Sequence, residues 1–341
     1  MAALAAVACE DPEPMPDPVQ PVDEAENTCA LILNEGTWGA NNASISLLKK
    51  GTLTVDWFSS VNGRGLGDLA QDLVVYGTKA YVTVSESGSL EVIDTATGVA
   101  TRVDLGTRYP RYIAADGGKL YISCYHPRSV IRIDTTSMQI EATCELGDFN
   151  PEGLAVAEGK LFAASSNISD EFGNYSYDNN VYVIDLSTFA NPQTVAVGSN
   201  PQKIMNLGDG RVLVNYWGDY DSNPAGSAIV DASSLAVTQT GVEMANMALC
   251  GSIVYSYSIN YDNYPNTTAE YVSLDLNTLA TTPVSIAIDN PYSIAVDVTS
   301  GNIYIGTNEY GTNCDLHCFS PEGSLKWKRE VGVLPSKIVF L

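Results

Sequence analysis

The sequence predicts an all-β protein, a seven-bladed β-propeller whose ring is closed by the C-terminal strand pairing with the N-terminal strands. Two sequence markers recur at steps of 40 to 51 residues along the chain. No stretch shows helical periodicity of useful length. The last eight residues, 334–341, form one apolar strand after a proline, with no partner strand following it. Repeats of this length built from short strands are typical of propeller blades.

The first marker opens a short strand, usually at a proline, as in residues 109–113 (YPRYI). Its steps along the chain are 40, 41, 50, 45, 45 and 44 residues, from Ala70 through Pro110, Pro151, Pro201, Asn246 and Pro291 to Pro335.

The second marker is a β-rich stretch that ends in aspartate. It falls at Asp94, Asp134, Asp185, Asp231 and Asp275, with Ser320 in the matching place. Its steps of 40, 51, 46, 44 and 45 residues drift together with those of the first marker. Two independent markers that shift together indicate one repeated unit.

Each unit contains four short strands with the alternation and the β-branched residues of half-buried strands. Six complete units span residues 67–332. A seventh is predicted to join strands in residues 30–33, 44–48 and 52–57 to the strand in 337–341. Such closure leaves no long unpaired edge, which would otherwise invite aggregation. Removing the last five residues is therefore expected to damage the fold more than their number suggests.

The N-terminal segment divides into two parts before the propeller, which is assigned to residues 29–341. Residues 1–9 are small and apolar up to Cys9 and lack a basic start, which predicts a truncated signal peptide with a lipobox and Cys9 as the lipid anchor. Residues 10–28 are rich in proline and acidic residues and predict a disordered tether, because this composition cannot bury a core.

Composition limits the classes of partner. The chain carries 17 Lys+Arg against 40 Asp+Glu, a net charge of −23. This charge excludes ordinary nucleic-acid binding, which requires cations at the phosphates, and leaves the N-terminal lipid as the only predicted membrane attachment. The six remaining cysteines are scattered and resemble small buried residues. Whether Cys124, Cys144, Cys314 and Cys318 form disulfides stays open.

One face of the ring is predicted to bind a ligand. The loops between the second and third strands are long and rich in Tyr, Trp and Asn, whereas the turns on the opposite face are short. Aromatic planes with amide and hydroxyl groups are typical of concave binding sites. The predicted ligand-binding residues are Trp38, Arg64, Arg111, Tyr125, His126, Asn167, Tyr175, Tyr177, Tyr216, Trp217, Tyr220, Tyr261, Tyr264, Tyr292, Asn308 and Tyr310.

Catalytic and metal-binding signals are weak. No nucleophile elbow, zinc-protease motif or phosphate loop occurs in the sequence, so no catalytic residue and no cofactor is predicted. His126 is the one candidate general base, which leaves a propeller lyase as an alternative. Asp219, Asp221 and Asn223 alternate as in calcium loops, but the following glycine and the distal glutamate are missing. Cys314 and Cys318 lie too far apart on an extended strand to share one ion.

The repeated Tyr-Ile/Val and Ser-x-x-Val-Ile-Asp-Thr patterns, with Asn-Pro-x-x-Ile at the start of the units, resemble the YncE-like (surface-layer-type) propellers over residues 29–341. Together with Cys9 and the acidic tether, the chain is similar to BtuG-type surface lipoproteins of Gram-negative gut bacteria.

This resemblance implies a monomeric protein at the outer-membrane surface. Such a protein would capture cobalamin and other corrinoids and hand them to a TonB-dependent outer-membrane transporter. The alternatives are a glycan-binding lipoprotein, a lyase that uses His126, and a structural or protein-docking role in a surface layer.

Overall fold

The computed structural model describes residues 28–262, 266–309 and 311–341. Seven four-stranded antiparallel sheets, which we number as blades 1–7, follow one another along the chain. Blade 1 contains β1 (Cys29–Asn34), β2 (Ser44–Lys49), β3 (Thr52–Thr54) and β30 (Pro335–Phe340). Blade 2 contains β4 (Ala70–Tyr76), β5 (Lys79–Val84), β6 (Ser89–Asp94) and β7 (Ala100–Asp104).

The next three blades repeat this plan. Blade 3 contains β8 (Pro110–Asp116), β9 (Lys119–Cys124), β10 (Ser129–Asp134) and β11 (Ile140–Glu145). Blade 4 contains β12 (Pro151–Ala157), β13 (Lys160–Ser165), β16 (Asn180–Asp185) and β17 (Gln193–Ala196), and a separate hairpin, β14 (Asn167–Ser169) and β15 (Tyr175–Tyr177), rises from its long loop. Blade 5 contains β18 (Pro201–Asn206), β19 (Arg211–Tyr216), β20 (Gly226–Asp231) and β21 (Val237–Gln239).

The last two blades complete the series. Blade 6 contains β22 (Asn246–Cys250), β23 (Ile253–Asn260), β24 (Thr268–Asp275) and β25 (Thr281–Pro283). Blade 7 contains β26 (Pro291–Val296), β27 (Ile303–Thr307), β28 (Asp315–Phe319) and β29 (Leu325–Glu330).

The predicted seven-bladed ring is confirmed. The innermost strands β30, β4, β8, β12 and β18 contact one another in that order, as do β22, β26 and β30. The seam lies in blade 1, where β1 pairs with β2 on one side and with β30 on the other. In the seam Ala30 faces Phe340 and Ile32 faces Ile338 across the antiparallel ladder. The two ends of the described chain therefore share one sheet, as the unpaired C-terminal strand predicts.

Both sequence markers have a structural cause. Each of the seven first-marker residues begins an innermost strand. Each second-marker aspartate ends a third strand, and its carboxylate then accepts backbone N–H groups of the following turn. Asp231 accepts the N–H groups of Ser233 and Ser234 at 3.1 and 2.7 Å, and Leu235 completes the turn in the left-handed region at φ 60°. Aspartate recurs there because a short carboxylate satisfies the exposed donors of a tight turn.

The core consists of seven apolar clusters, one at each junction between neighbouring blades. Leu31 and Ile45 of blade 1 pack with Leu73 and Val82 of blade 2, for example. At the seam, Ile32 and Ile338 of blade 1 pack with Tyr304 of blade 7. Because every blade buries both faces against its neighbours, the seam junction buries a cluster like the other six.

One predicted strand is shorter than expected. We predicted a strand over residues 52–57, but β3 ends at Thr54 and a helix, α1 (Trp57–Asn62), follows. Asp56 adopts a left-handed conformation at φ 53°, which turns the chain out of the extended direction of β3. Burial of Phe58 in the junction between blades 1 and 2 then holds the helix in place. Six residues are too few to show helical periodicity in a sequence.

Two further features concern the state of the cysteines and the length of the helices. Cys29, Cys124, Cys144, Cys250, Cys314 and Cys318 are all free thiols, and four of them are buried. Across the described ranges, no helix is both long enough and apolar enough to span a membrane. Cys9 and the tether lie outside the described residues, so their assignments stay predictions.

Candidate functional site

A cavity of about 970 Å³ lies on the axis of the ring and is lined by residues of all seven innermost strands. Each innermost strand begins opposite the end of the second strand of its blade, as in the pairing of Pro110 with Cys124 and of Pro151 with Ser165. The long loops that follow the second strands therefore surround one mouth of the cavity. Its volume lies at the upper end of the roughly 300–1,000 Å³ typical of ligand sites.

The cavity has two chemically different halves. The half next to the long loops, which we name the polar half, is defined by three carboxylates and three cations at or beside the starts of the innermost strands: Glu35, Asp72, Arg111, Glu152, Lys203 and Lys337. The apolar half is lined by residues three to five positions after the starts of the innermost strands: Ile113, Leu154, Ile204, Ile294, Val296 and Ile338.

Two ion pairs occupy the polar half. The guanidinium of Arg111 lies 3.3 Å from the Glu152 carboxylate, whose side chain is almost fully buried. The ammonium of Lys337 lies 2.8 Å from Asp72, and the other Asp72 oxygen accepts the backbone N–H of Ile113 at 3.0 Å. These contacts join different blades, so they fix the innermost strands to one another as well as balancing charge.

Glu35 is the third carboxylate of this half. It leaves β1 at the seam and accepts a hydrogen bond of 2.5 Å from the hydroxyl of Tyr292 in blade 7. Burial raises the pKa of Glu35, an effect that the Tyr292 hydrogen bond and the nearby Arg111 and Lys203 only partly oppose. The neutral form of this carboxyl therefore persists to a higher pH than that of an ordinary glutamate.

Lys203 is the third cation and differs from the other two. Its backbone N–H donates to Asn215 at 2.7 Å, which anchors the start of β18. Among the described residues, no hydrogen bond or ion pair reaches its ammonium group. Burial, together with the nearby Lys337, lowers the pKa of Lys203 to about 8 although Asp72, Glu35 and Glu152 oppose the shift.

Aromatic side chains, all exposed except the half-buried Tyr177, lie around the mouth beside blades 4, 5 and 6. We name this group the aromatic rim: Tyr175, Tyr177, Trp217, Tyr220 and Tyr261. The rings of Tyr175 and Tyr177, both on β15, stack at 6.3 Å, and Tyr177 meets Tyr220 edge-on at 6.2 Å. Tyr220 is 74% exposed and Tyr261 is 59% exposed. Large exposed apolar groups clustered around a cavity are typical of a binding surface.

The structure brings most of the predicted site residues to this region. The six that line the cavity are Arg111, Asn167, Trp217, Tyr261, Tyr292 and Asn308. Tyr175, Tyr177 and Tyr220 extend the surface as part of the rim. Tyr125 lies directly behind the lining, because its ring stacks with Arg111 at 4.8 Å and its hydroxyl donates to Glu152. Tyr264 and Tyr310 lie outside the described residues.

Four predicted residues lie away from the cavity lining. Arg64 binds the fully buried Glu91 of blade 2 at 2.6 Å, together with Arg102, and so holds a carboxylate in the blade. Tyr216 donates to Gln239 at 2.7 Å and packs against backbone where only glycine fits, at Gly198 and Gly226.

Trp38 is the third of these, and it is 73% exposed in the loop of blade 1. His126 is the fourth. It contacts the ring of Tyr109 at 5.2 Å and borders a separate small cavity of about 250 Å³ with Arg128 and Glu145. The candidate general base therefore does not face the central cavity.

The loop proposed as a weak calcium site uses its oxygens internally. One Asp219 oxygen accepts the backbone N–H groups of Asp221, Ser222 and Asn223 at 3.1, 3.0 and 2.8 Å. The other accepts the side-chain amide of Asn223 at 2.5 Å. No group of three or more His, Cys, Asp and Glu side chains within the described ranges is arranged to hold a metal ion.

The sequence reasoning missed Glu35, Asp72, Glu152, Lys203 and Lys337 as parts of the site. A usable signal was present, because all but Glu35 are one or two positions after a first-marker residue. In every blade these positions follow the turn at the cavity mouth. Their side chains vary from blade to blade while the strand that carries them repeats, which is the expected behaviour of a site built on a repeated scaffold.

Comparison with known proteins agrees with the fold. A protein-family profile described as "Domain of unknown function (DUF5074)" matches residues 28–248. A search of the curated proteins finds no match.

Among solved structures, the chain is similar to a quinonprotein alcohol dehydrogenase-like protein from Bacteroides thetaiotaomicron, with a TM-score of 0.68 and 15% identity over 92% of this chain and 78% of that one. It is similar to Kuenenia stuttgartiensis hydrazine synthase, with a TM-score of 0.62 and 15% identity over 76% of this chain and 85% of that one. It is also similar to the computationally designed Ika8 protein, with a TM-score of 0.51 and 9% identity over 79% and 94% of the two chains. Identities this low establish a shared fold and nothing further.

Proposed function

We propose that this seven-bladed propeller, which belongs to the DUF5074 family, is a binding protein that captures cobalamin and other corrinoids. In this proposal the corrinoid is a ligand rather than a cofactor, and the protein performs no catalysis. The single observation that carries the proposal is the aromatic rim around a cavity of about 970 Å³.

The chemistry of the rim supports this class of ligand. A corrinoid is a large, rigid, flat molecule with amide groups along its edge. Tyr and Trp side chains offer flat apolar area at low entropic cost, and Asn167 and Asn308 at the cavity wall offer amide groups that match those of the ligand. A rigid ligand on a rigid ring loses little conformational entropy, so tight binding is physically attainable.

The cellular setting completes the proposal. We propose that the protein is a monomeric lipoprotein anchored through Cys9 at the outside of the outer membrane, and that it passes its ligand to a TonB-dependent transporter. This part rests on the lipobox-like residues before Cys9 and on the resemblance to BtuG-type proteins. Pull-down of a TonB-dependent transporter from outer membranes, dependent on the presence of cyanocobalamin, would test it.

Isothermal titration with cyanocobalamin tests ligand binding. We expect saturable binding at micromolar protein, and we expect Trp217→Ala to weaken it at least tenfold, which corresponds to about 1.4 kcal/mol. Trp38→Ala is the matched comparison, because Trp38 is an exposed tryptophan of the same set of loops that does not line the cavity. It should bind within twofold of the parent.

Two results would contradict the proposal. The first is the absence of heat and of any visible-spectrum change at micromolar protein. The second is an equal loss for both tryptophan variants, which would separate binding from the cavity. Selective binding on a carbohydrate array without corrinoid binding would instead support the glycan alternative. Turnover abolished by His126→Ala would support a lyase.

A further inference from the structure

The charged groups of the polar half do not all have partners, and the exception points to a ligand group. Arg111 is paired with Glu152, and Lys337 is paired with Asp72. Glu35 accepts a hydrogen bond from Tyr292, and burial raises the pKa of its carboxyl. Lys203 is left as a partly buried cation with no partner among the described residues. An ammonium group that is removed from bulk water without a counter-ion is unfavourable, so an anion in the cavity would stabilise it.

The Lys203 side chain is accessible from the cavity. It lines the cavity wall and keeps part of its surface exposed in the absence of a ligand. A ligand in the cavity can therefore reach its ammonium group.

We infer that Lys203 forms an anion-binding subsite in the polar half of the cavity, and that this subsite takes a phosphodiester group of the ligand. The inference rests on the proposed function for the identity of that ligand. Cobalamin carries one anionic group, the phosphodiester of its nucleotide loop, and a lysine ammonium is a suitable point charge for it.

The overall charge of the protein does not prevent this. The net charge is −23, but at physiological salt the field of surface carboxylates is screened over about 8 Å. Inside the cavity, Arg111 and Lys337 each have a carboxylate as ion-pair partner, whereas Lys203 forms no ion pair with Glu35 or with any other described carboxylate. An anion beside Lys203 also replaces part of the hydration that burial removes, so the ammonium form is favoured once the ligand is bound.

Two corrinoids that differ in this group provide the test. Cyanocobalamin contains the phosphodiester, and dicyanocobinamide lacks the whole nucleotide loop. We expect Lys203→Met to weaken cyanocobalamin at least tenfold and to change dicyanocobinamide less than twofold. Lys203→Arg, which keeps the charge, should recover most of the loss. Lys49→Met, a change of the same charge at an exposed position on β2, is the control and should leave both affinities unchanged.

The pH dependence gives a readout that a merely structural role would not move. Lys203 is faced by Lys337, Asp72, Glu35 and Glu152, and of these groups it is the one whose pKa is lowered to about 8. The ratio of the cyanocobalamin affinity to the dicyanocobinamide affinity should therefore fall above pH 8 in the parent. The reason is that Lys203 loses its ammonium proton in the free protein in that pH range. The ratio in Lys203→Met should not depend on pH.

The outcomes separate the inference from the proposed function. Equal loss of both corrinoids in Lys203→Met, or no loss of either, would overturn the subsite while leaving corrinoid binding intact. If the parent binds neither corrinoid, the proposed function fails and inorganic phosphate decides the subsite. In that case phosphate should raise the melting temperature of the parent above that in chloride at equal ionic strength, and an equal rise in Lys203→Met would overturn the inference.

Discussion

The two halves of the central cavity lie along the innermost strands of the ring, yet they differ in chemistry. In the apolar half, residues such as Ile113, Leu154 and Ile338 repeat the same chemistry from blade to blade. One or two residues earlier on the same strands, Arg111, Glu152 and Lys337 of the polar half differ in type and in charge. The comparison indicates that packing fixes the first set, whereas the second set is free to be specific.

The apolar half should tolerate charge least. Ile338→Asp would place a carboxylate at the seam, where the parent side chain is 7% exposed and packs with Tyr304. We expect it to lower the free energy of unfolding by about 3–5 kcal/mol, because a buried charge without a partner is strongly unfavourable. Urea unfolding measures the loss. Leu325→Asp, at a 57% exposed position on β29, should stay within about 0.5 kcal/mol.

In the polar half, the loss of stability caused by a substitution should depend on whether the residue has an ion-pair partner, rather than on its charge alone. Arg111→Met leaves the buried Glu152 without its cation, and we expect a loss of about 3 kcal/mol in the free energy of unfolding. The double change Arg111→Met with Glu152→Gln should recover at least half of it, as a double-mutant cycle would show. Additive losses in that cycle would mean that the two side chains do not act as a pair.

Replacing Lys203 should change the free energy of unfolding in the opposite direction. Burial lowers its pKa from 10.5 to about 8, so the folded protein at pH 7 carries a cost that the unfolded chain does not. Lys203→Met should therefore raise the free energy of unfolding by roughly 1–3 kcal/mol, measured by urea unfolding without ligand. A variant that is more stable and binds less well is the expected sign of a functional residue. Destabilisation by Lys203→Met would contradict this picture.

Replacing Glu35 should have the smallest effect on stability, visible as a change in the slope of stability against pH. Its pKa is raised in the folded protein, so the folded state holds a proton that the unfolded state releases above about pH 4.5. The parent should lose stability as the pH rises through the folded pKa. Glu35→Gln should remove that pH-dependent loss, because the amide does not titrate. Melting temperatures of both proteins between pH 5 and 8 provide the measurement, and parallel curves would exclude the effect.

The sequence predicts the scaffold well because the scaffold is periodic. The positions from Ala70 to Pro335 mark the innermost strands since every blade needs the same turn before the same strand. The Asp231 turn and its equivalents recur for the same local reason. Helix α1 escaped prediction because its burial depends on Phe58 meeting another blade, a contact that no local pattern records.

The site was only partly predictable, since it depends on where non-repeating side chains point. Tyr216, the last residue of β19, and Trp217, the next residue, are neighbours in the chain, yet Tyr216 packs into the blade and Trp217 lines the cavity. Residue type cannot separate them. Arg64 and Arg111 are likewise both arginines near blade starts, but only Arg111 turns inward, because Glu91 lies within reach of Arg64. Partners distant in sequence decide these directions.

The seam between β1 and β30 has a consequence for folding. Residues 30 and 340 face each other in one ladder, so the circle cannot close until both strands are in place. Until then β1 has one unpaired edge, and an unpaired edge can pair with another chain and promote aggregation. The step in which the six-residue strand β30 pairs with β1 therefore removes the last open edge of the ring.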